Sequence, residues 1–345
     1  MGDILRSISN TDRFAIREMD QLLRQEGIRR DANLDYSCGI YDEEENLVAT
    51  GSCFGNTIRC LAVAGCRRGQ GLLVRIVSHL MDIQSKRGNL HVFLYTKCEN
   101  AAFFADLGFH EIVRVSDLMV FMENRRDGFR KYCDGLQMKQ GTKVAAVVMN
   151  ANPFTLGHRH LLEQAAKEND VVHLFLLREE AGPIPFQVRR KLAEEGLGDL
   201  TNVILQESGP YMISSATFPS YFLKDEDSQI QAHAELDLEV FSRIAAKLGI
   251  RRRYVGEEPT SRVTGLYNRI MAARLPEYGM ECCIVPRLEA DGAVISASTV
   301  RQAIHDGNLE AVKNMLPYST YRYFASPSSE SVRAAIGRDT NLIHY

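Results

Sequence analysis

Several features that would mark a particular class of protein are missing from this sequence. Its eight cysteines form no CxxC pair and none has metal-ligand spacing to a histidine. We therefore expect them to be buried core side chains rather than ligands of a metal site. There is no signal peptide and no apolar run of membrane-spanning length. With these cysteines, that predicts reduced thiols, a cytoplasmic location and no membrane partner. The net charge of −3 argues against a nucleic-acid partner bound through bulk positive charge.

The length and composition of the sequence predict two globular domains. Its 345 residues exceed the usual size of one domain, and 45% hydrophobic with 25% charged residues is a typical globular composition. Two basic runs, Arg189–Lys191 and Arg251–Arg253, are expected to be solvated helix ends rather than phosphate sites.

The central stretch of the chain predicts a strand, a tight loop and a helix. Val144–Met149 is an apolar run, a turn rich in Asn and Pro follows, and leucines and alanines then recur at helical spacing. A helix start after a strand presents free backbone N–H groups and the positive end of the helix dipole, which suit a phosphate. Gly157 would let the backbone approach a ligand, and Thr155 and His158 would add donors. Neither the P-loop nor the dinucleotide fingerprint is present.

A second stretch, Ile295–Arg301, has the same character and comes near the end of the chain. The two motifs, in this order, resemble the nucleotidyltransferase superfamily. Its members carry His-x-Gly-His or Thr-x-Gly-His after the first strand and Ile-Ser-x-Ser/Thr-x-x-Arg at a later helix start. Here the first motif is Thr155-Leu156-Gly157-His158. The resemblance implies attack on the α-phosphate of a nucleotide with release of pyrophosphate.

The resemblance also implies roles for individual residues. His158 would stabilise the α-phosphate region, Thr155 would hydrogen-bond a phosphate, and Arg301 would hold the β and γ phosphates. The other residues expected to bind the nucleotide are Asn150, Asn152, Phe154, Gly157, Gly256, Glu257, Ser296, Ser298 and Thr299. For Glu257, a place on the solvated surface stays open as the alternative. Mg²⁺ should bridge the triphosphate of ATP through waters, so no tightly bound, protein-ligated metal is expected.

The first part of the chain carries two further motifs. A glycine-rich turn, Cys66–Gly71, leads into a predicted helix, and Asn100–Phe109 predicts a helix followed by a glycine turn. Together they resemble the Arg-Gly-x-Gly-x-Gly/Ala loop and the Asn-x-x-x-Phe-Tyr-x-x-x-Gly-Phe element of the GNAT acyltransferases. Leu73 departs from that pattern, because the family usually has Gly or Ala there. The resemblance implies that a CoA-like prosthetic arm would be bound by Arg68, Gly69, Gly71 and Asn100.

The expected fold class is therefore α/β in two domains. Residues 1–125 would form an α+β GNAT-like domain with a short or missing first strand, and 126–142 the connection. Residues 143–345 would form a Rossmann-like nucleotidyltransferase domain, because strands and helices alternate there as in a parallel sheet. Ligands in such sheets bind at the carboxyl ends of the strands, where the predicted site residues would converge.

The order of these domains resembles the citrate lyase ligase family over nearly the whole chain. The stretches Asn152–Arg159, Thr217–Phe222 and Val255–Pro259 agree with that family. The resemblance implies an acid–thiol ligase that uses ATP to activate acetate as acetyl-adenylate. It would then acetylate the thiol of the dephospho-CoA-derived prosthetic group on the citrate lyase acyl carrier (gamma) subunit. AMP and pyrophosphate would be released, and the lyase of citrate fermentation switched on.

Two other functions stay open from the residues alone. One is a phosphopantetheine-type adenylyltransferase, which Thr155 favours but which leaves the first domain unexplained. The other is an acetyl-CoA-dependent protein acetyltransferase whose second domain only senses nucleotide. The two intact phosphate motifs argue against a degenerate sensor, and Leu73 argues against a vigorous CoA enzyme.

Overall fold

The computed structural model describes residues 2–178, 182–212, 218–219, 221, 226–258 and 262–339. The chain divides into two compact units, Met1–Phe129 with Pro219–Ala232, and Arg130–Phe218 with His233–Tyr345. Residues 219–232, which the predicted boundaries put in the second domain, thus belong with the first unit. Of the family-like stretches, Thr217, Ser220, Phe222 and Pro259 lie outside the described residues.

The first unit is built on one seven-stranded sheet. Its strand order is β1-β2-β3-β4-β5-β7-β6, and the neighbours are antiparallel except for the parallel pair β4 and β5. The strands are β1 Ile4–Ile8, β2 Tyr36–Tyr41, β3 Leu47–Phe54, β4 Thr57–Val63, β5 Phe93–Thr96, β6 His110–Val115 and β7 Met119–Glu123. β4 and β5 pair at two positions only, Thr57 with Phe93 and Ile58 with Leu94. The first strand is present and is five residues long.

Within the described residues 2–125 of this unit, the α-helices are α1 Arg13–Gln25, α2 Leu72–Lys86 and α3 Ala101–Asp106. The Asp12 side chain caps α1 by accepting hydrogen bonds from the first-turn N–H groups of Phe14 and Ala15. One buried cluster contains the apolar face of α2, and a second contains that of α1 together with Tyr221. The apolar spacing of each helix thus decides which side chains enter the core.

The second unit is a doubly wound parallel sheet with the strand order β10-β9-β8-β11-β12. The order reverses between β8 and β11, and the carboxyl ends of strands at such a point form the usual binding crevice. The strands are β8 Val144–Met149, β9 Val171–Leu176, β10 Val203–Glu207, β11 Arg252–Gly256 and β12 Glu281–Val285, followed by the hairpin β13 Glu289–Ala290 and β14 Ala293–Val294. With this sheet and that of the first unit, the expected α/β fold class is confirmed.

The remaining helices are α4 Gly128–Asp134, α5 Leu156–Glu168, α6 Phe186–Gly196, α7 Glu226–Leu248, α8 Arg262–Arg274, α9 Ala297–His305, α10 Tyr318–Ala325 and α11 Glu330–Arg338. One buried apolar cluster joins β8, β9, α5, α6 and the segments from α9 to α11. Helix α4 lies in the stretch 126–142, which was predicted to be a plain connection. Among the described residues, none of the helices is both long and apolar enough to cross a bilayer.

The expectation that both basic runs are solvated was wrong for two of their arginines. Arg189 and Arg253 are 1% and 3% exposed. In α6, Arg189 shares a face with the buried residues Phe186, Leu192, Ala193 and Gly196, so helical spacing carries it into the core. Arg253 lies over the Phe241 ring and donates a 2.6 Å hydrogen bond to Asp237. Each guanidinium is buried because it has partners there.

The contact between Gly196 and Phe154 predicts a stability change. A Cβ at residue 196 would lie 2.6 Å from Cε1 of Phe154, a fully buried ring. Gly196→Ala should therefore lower the free energy of unfolding by about 1–3 kcal/mol through overpacking. The better helix propensity of alanine offsets at most about 1 kcal/mol of that. Urea unfolding measures the difference. Gly198→Ala is the control, because its Cβ would be 3.7 Å from the nearest atom. Equal stability of the two variants would contradict the packing argument.

Candidate active site

The loop that follows β8 is fixed by the start of α5. Thr155 is the N-cap of this helix, and its hydroxyl accepts a hydrogen bond from the backbone N–H of His158. In return, the backbone N–H of Thr155 donates to Nδ1 of His158 over 3.1 Å. This reciprocal capping box holds both predicted catalytic side chains in one turn. The Phe154 ring stacks against the imidazole, with the ring centroids 5.8 Å apart.

The same contacts decide the protonation of His158. A nitrogen that accepts a hydrogen bond from a backbone N–H carries no proton, so the proton of the neutral ring is on Nε2. Burial, and after it the positive charges of Arg287 and Arg301, lowers the pKa of His158 to about 4. At neutral pH the side chain is therefore an uncharged donor through Nε2–H.

The second motif forms a similar helix start. Ser296 is the N-cap of α9, and its Oγ accepts a 3.1 Å hydrogen bond from the backbone N–H of Thr299. The same Oγ lies 3.0 Å from Oγ of Ser298 and 2.7 Å from Oγ1 of Thr299. Ser298 is half-buried and Thr299 is exposed. Three hydroxyl groups thus gather at a helix N-terminus, which suits an anion. The helix begins at Ala297, directly after this cap.

The structure brings the two motifs into contact. A Cβ on Gly157 would lie 3.3 Å from the carbonyl oxygen of Ile295, so the absence of a side chain lets the two helix starts approach each other. Nη1 of Arg301 donates a 2.5 Å hydrogen bond to the carbonyl oxygen of Asn152. Arg301 is 1% exposed, so it lies within this junction rather than on its surface. Its predicted contact with the β and γ phosphates remains a prediction.

The two asparagines of the loop lie in different surroundings. Asn150 accepts hydrogen bonds from Nη1 of Arg189 through its carbonyl oxygen, at 2.6 Å, and through Oδ1, at 2.7 Å. Asn152 is 3% exposed, and its Oδ1 has no hydrogen-bond partner within the described ranges of the chain. A buried polar atom without a partner is costly, and a bound ligand would remove that cost.

The loop after β11 is held by α8 and by the residues after β12. Asn268 donates a 2.9 Å hydrogen bond to the carbonyl oxygen of Gly256. The side chain of Glu257 is exposed, while its carbonyl oxygen accepts from Nε of Arg287 at 2.7 Å. The Glu258 carboxylate pairs with the same guanidinium. Arg287 is thus held by two acceptors, and after burial its positive charge is the next cause that lowers the pKa of His158.

An open cleft of about 630 Å³ adjoins this site. It is lined by His160, Gln164 and Glu168 on one face of α5, by Tyr254 of β11 and by Cys283–Glu289. None of the predicted site residues lines the cleft. Arg287 is common to the cleft and to the electrostatic surroundings of His158, so it links the two.

In the first unit, the predicted arm-binding residues lie near two helix starts. Gly69 and Gly71 have φ angles of +78° and +73°, and there is open space where their Cβ atoms would be. Gly71 is the N-cap of α2, which has no side-chain cap. The Arg68 side chain is 70% exposed and pairs with Glu26. Asn100 is exposed and directly precedes α3. The structure thus leaves this turn accessible to a ligand.

These features define the class of the protein: an α/β chain whose doubly wound unit places two capped helix starts at the carboxyl ends of its strands. The chain belongs to the citrate lyase ligase family. The family model described as the citrate lyase ligase C-terminal domain matches residues 144–324.

The curated relatives extend this similarity over the whole chain. The [citrate [pro-3S]-lyase] ligase of Klebsiella pneumoniae is 37% identical over 312 residues, which cover 88% of this chain and 91% of the relative. That of Escherichia coli strain K12 is 33% identical over 345 residues and covers 98% of each chain.

Among solved structures, the ribosomal-protein-S18-alanine N-acetyltransferase of Escherichia coli is similar to part of this chain. It covers 35% of this chain and 92% of that chain, with a sequence identity of 20% and a TM-score of 0.28. The fold of the first unit therefore rests on its own strand order.

Sequence reasoning missed two arginines of the site, although each had a usable signal. Arg287 comes two residues after the end of β12, at the same edge of the sheet as Glu257, so the rule about strand ends could have found it. Arg189 recurs with the apolar residues of α6 at helical spacing, which indicates a buried position. Their partners lie far away in the sequence, so only the fold shows what they bind.

The surroundings of His158 predict its titration. In the ¹³C NMR spectrum of protein with labelled histidines, the His158 signal should titrate near pH 4. The unfolded chain takes up this proton near pH 6.5, so the folded state loses stability as the pH falls from 6.5 towards 4. His158→Gln assigns the signal among the nine histidines. A His158 signal that titrates near pH 6.5 in the folded protein would refute this description of the site.

Proposed function

We propose that this chain is an ATP-dependent acid–thiol ligase that acetylates the prosthetic-group thiol of the citrate lyase acyl carrier subunit and thereby activates the lyase. The observation that carries the proposal is family membership: relatives named [citrate [pro-3S]-lyase] ligase match 88% and 98% of this chain. An adenylyltransferase of the second unit alone would leave the first unit without a role. A cytoplasmic location fits the eight free cysteines.

The proposed reaction has two steps. An acetate oxygen attacks the α-phosphorus of ATP, the bond to the leaving pyrophosphate breaks, and acetyl-adenylate forms. The carrier thiol then loses its proton and attacks the acetyl carbonyl carbon, and the bond to the AMP oxygen breaks. Negative charge builds on phosphate oxygens in the first step, so fixed donors at those oxygens should lower the barrier.

We assign the first step to the second unit, because both helix starts lie there. Nε2–H of His158 would donate to an α-phosphate oxygen, and the hydroxyl groups around Ser296 would bind the outer phosphates with the N–H groups of α9. A neutral His158 supports this role, since it donates without first losing or gaining a proton. Mg²⁺ would arrive with the triphosphate and offset its charge.

The first unit would receive the prosthetic arm. Its strands β4 and β5 pair at two positions only, so beyond Ile58 the backbone of β4 is not paired with that of β5. The arm contains amide groups, which can hydrogen-bond to such a strand in the manner of β-augmentation. Arg68 and the uncapped start of α2 are suited to the phosphate end of the arm.

The proposal predicts the effect of removing the donor at His158. His158→Ala should slow acetate-dependent exchange of labelled pyrophosphate into ATP by roughly 10²–10³-fold, the usual cost of one transition-state donor. His305→Ala is the control, because that histidine is exposed at the last residue of α9 and its imidazole pairs with the neighbouring Asp306 carboxylate. A folded His158→Ala protein with normal exchange would remove His158 from the reaction.

The arm-binding role of the first unit is tested with the full chain. Arg68→Glu should raise the apparent KM for the carrier subunit several-fold through charge repulsion, while acetate-dependent pyrophosphate exchange stays normal. Lys86→Glu makes the same charge change at the other end of α2. It should leave both the apparent KM for the carrier and the rate of pyrophosphate exchange unaltered. If the two variants acetylate the carrier equally well, the turn at Arg68 does not bind the arm.

A further inference from the structure

We propose that Arg189 is a positioning residue of the nucleotide site, which holds the Asn150–Asn152 segment in place together with Arg301. This inference rests on the proposed function, because it concerns the same phosphate-binding loop. Arg189 itself would touch no substrate and would act through the backbone and side chain of Asn150.

The contacts of Arg189 join three segments at one end of the sheet. Its Nη1 donates to the Asn150 carbonyl oxygen at 2.6 Å, to Asn150 Oδ1 at 2.7 Å and to the Leu177 carbonyl oxygen at 3.0 Å. Its Nε donates to the Ile184 carbonyl oxygen at 3.2 Å. Asn150 follows β8 and Leu177 follows β9, so one guanidinium ties the ends of two neighbouring strands together.

A second guanidinium holds the other end of the same tripeptide. Nη1 of Arg301 donates to the carbonyl oxygen of Asn152, two residues after the carbonyl that Arg189 binds. Both arginines are 1% exposed, so neither bond has to compete with bulk water. The Asn150–Asn152 segment is thus held at both ends by buried donors.

The residue between these ends explains why such a hold is needed. Ala151 has a φ angle of +50°, in the left-handed region that a residue with a Cβ rarely adopts. A strained residue of this kind persists only where its surroundings determine the conformation. The bonds from Arg189 and Arg301 supply that constraint, and the loop leads directly to Thr155 and His158.

The consequence for the site is one of geometry. Reacting groups must be held to within a fraction of an ångström, and a shift of about 1 Å can cost roughly 10²-fold in rate. A lysine at 189 would keep the charge but could not reach the same set of acceptors, since it lacks the planar fork of donors. The role of Arg189 therefore depends on its shape as well as on its charge.

The test compares Arg189→Met and Arg189→Lys with the matched control Arg190→Met. Arg190 is the next residue of α6 but bonds Glu194 and Glu207 at the surface. We expect Arg189→Met to lower kcat for acetate-dependent pyrophosphate exchange by roughly 10–100-fold per folded molecule, with Arg189→Lys intermediate and Arg190→Met within about twofold of the unsubstituted protein. An unchanged kcat in folded Arg189→Met, with only a lower melting temperature, would make Arg189 merely structural and overturn the proposal.

A double-mutant cycle with Asn150→Ala separates positioning from general damage. If Arg189 acts through Asn150, the losses in kcat of the two single variants will not multiply in the double variant. Fully multiplicative losses would overturn the proposal, and Arg189→Lys serves for the cycle if Arg189→Met does not fold.

The failure of the proposed function would look different. In that case the unsubstituted protein would show no acetate-dependent exchange at all. Calorimetric titration with ATP then tests the positioning role by itself: Arg189→Lys should weaken ATP binding several-fold and Arg190→Met should not. Equal ATP affinity in these two variants would overturn the inference.

Discussion

The hydrogen bond from the Arg301 guanidinium to the Asn152 carbonyl oxygen is the contact on which the site depends. It joins a residue of the last motif to the loop of the first, which are 149 positions apart in the chain. Because Gly157 also lets the two helix starts touch at Ile295, both N-termini face one region at the end of the sheet. Without this junction, each helix start would be an ordinary capped terminus with a weak attraction for anions.

Electrostatics and capping act on His158 in the same direction. The Thr155 N–H group fixes the tautomer, while burial and the charges of Arg287 and Arg301 disfavour the imidazolium form. A cationic imidazole would bind a triphosphate more strongly in the ground state, but it would add little that is specific to the transition state. A neutral donor with a fixed direction stabilises the negative charge that develops in the transition state more than it stabilises the bound substrate.

Local pattern predicted much of this fold, and tertiary contacts account for most of what it missed. The apolar run at Val144–Met149 coincides with β8. A strand buried on both faces is apolar along its whole length, so its ends are visible in the sequence. At the second motif, Ser296 supplies the capping oxygen and Ser298 lies inside the first turn of α9, a distinction that the motif alone does not make. Arg189 was misjudged because its charge suggested solvent, whereas its partners are carbonyls brought there by β8 and β9.

The use of arginine at buried positions has a physical reason in a site of this kind. A loop that must present its N–H groups and side chains to phosphate turns some of its carbonyl oxygens inwards, and these need donors. A buried guanidinium satisfies several carbonyls at once and adds positive potential that salt screens only weakly. Burial, then the charge of Arg287 and then that of Arg301 lower the pKa of His158. The groups that hold the loop therefore also favour an anion beside it, and rigidity and charge come from the same side chains.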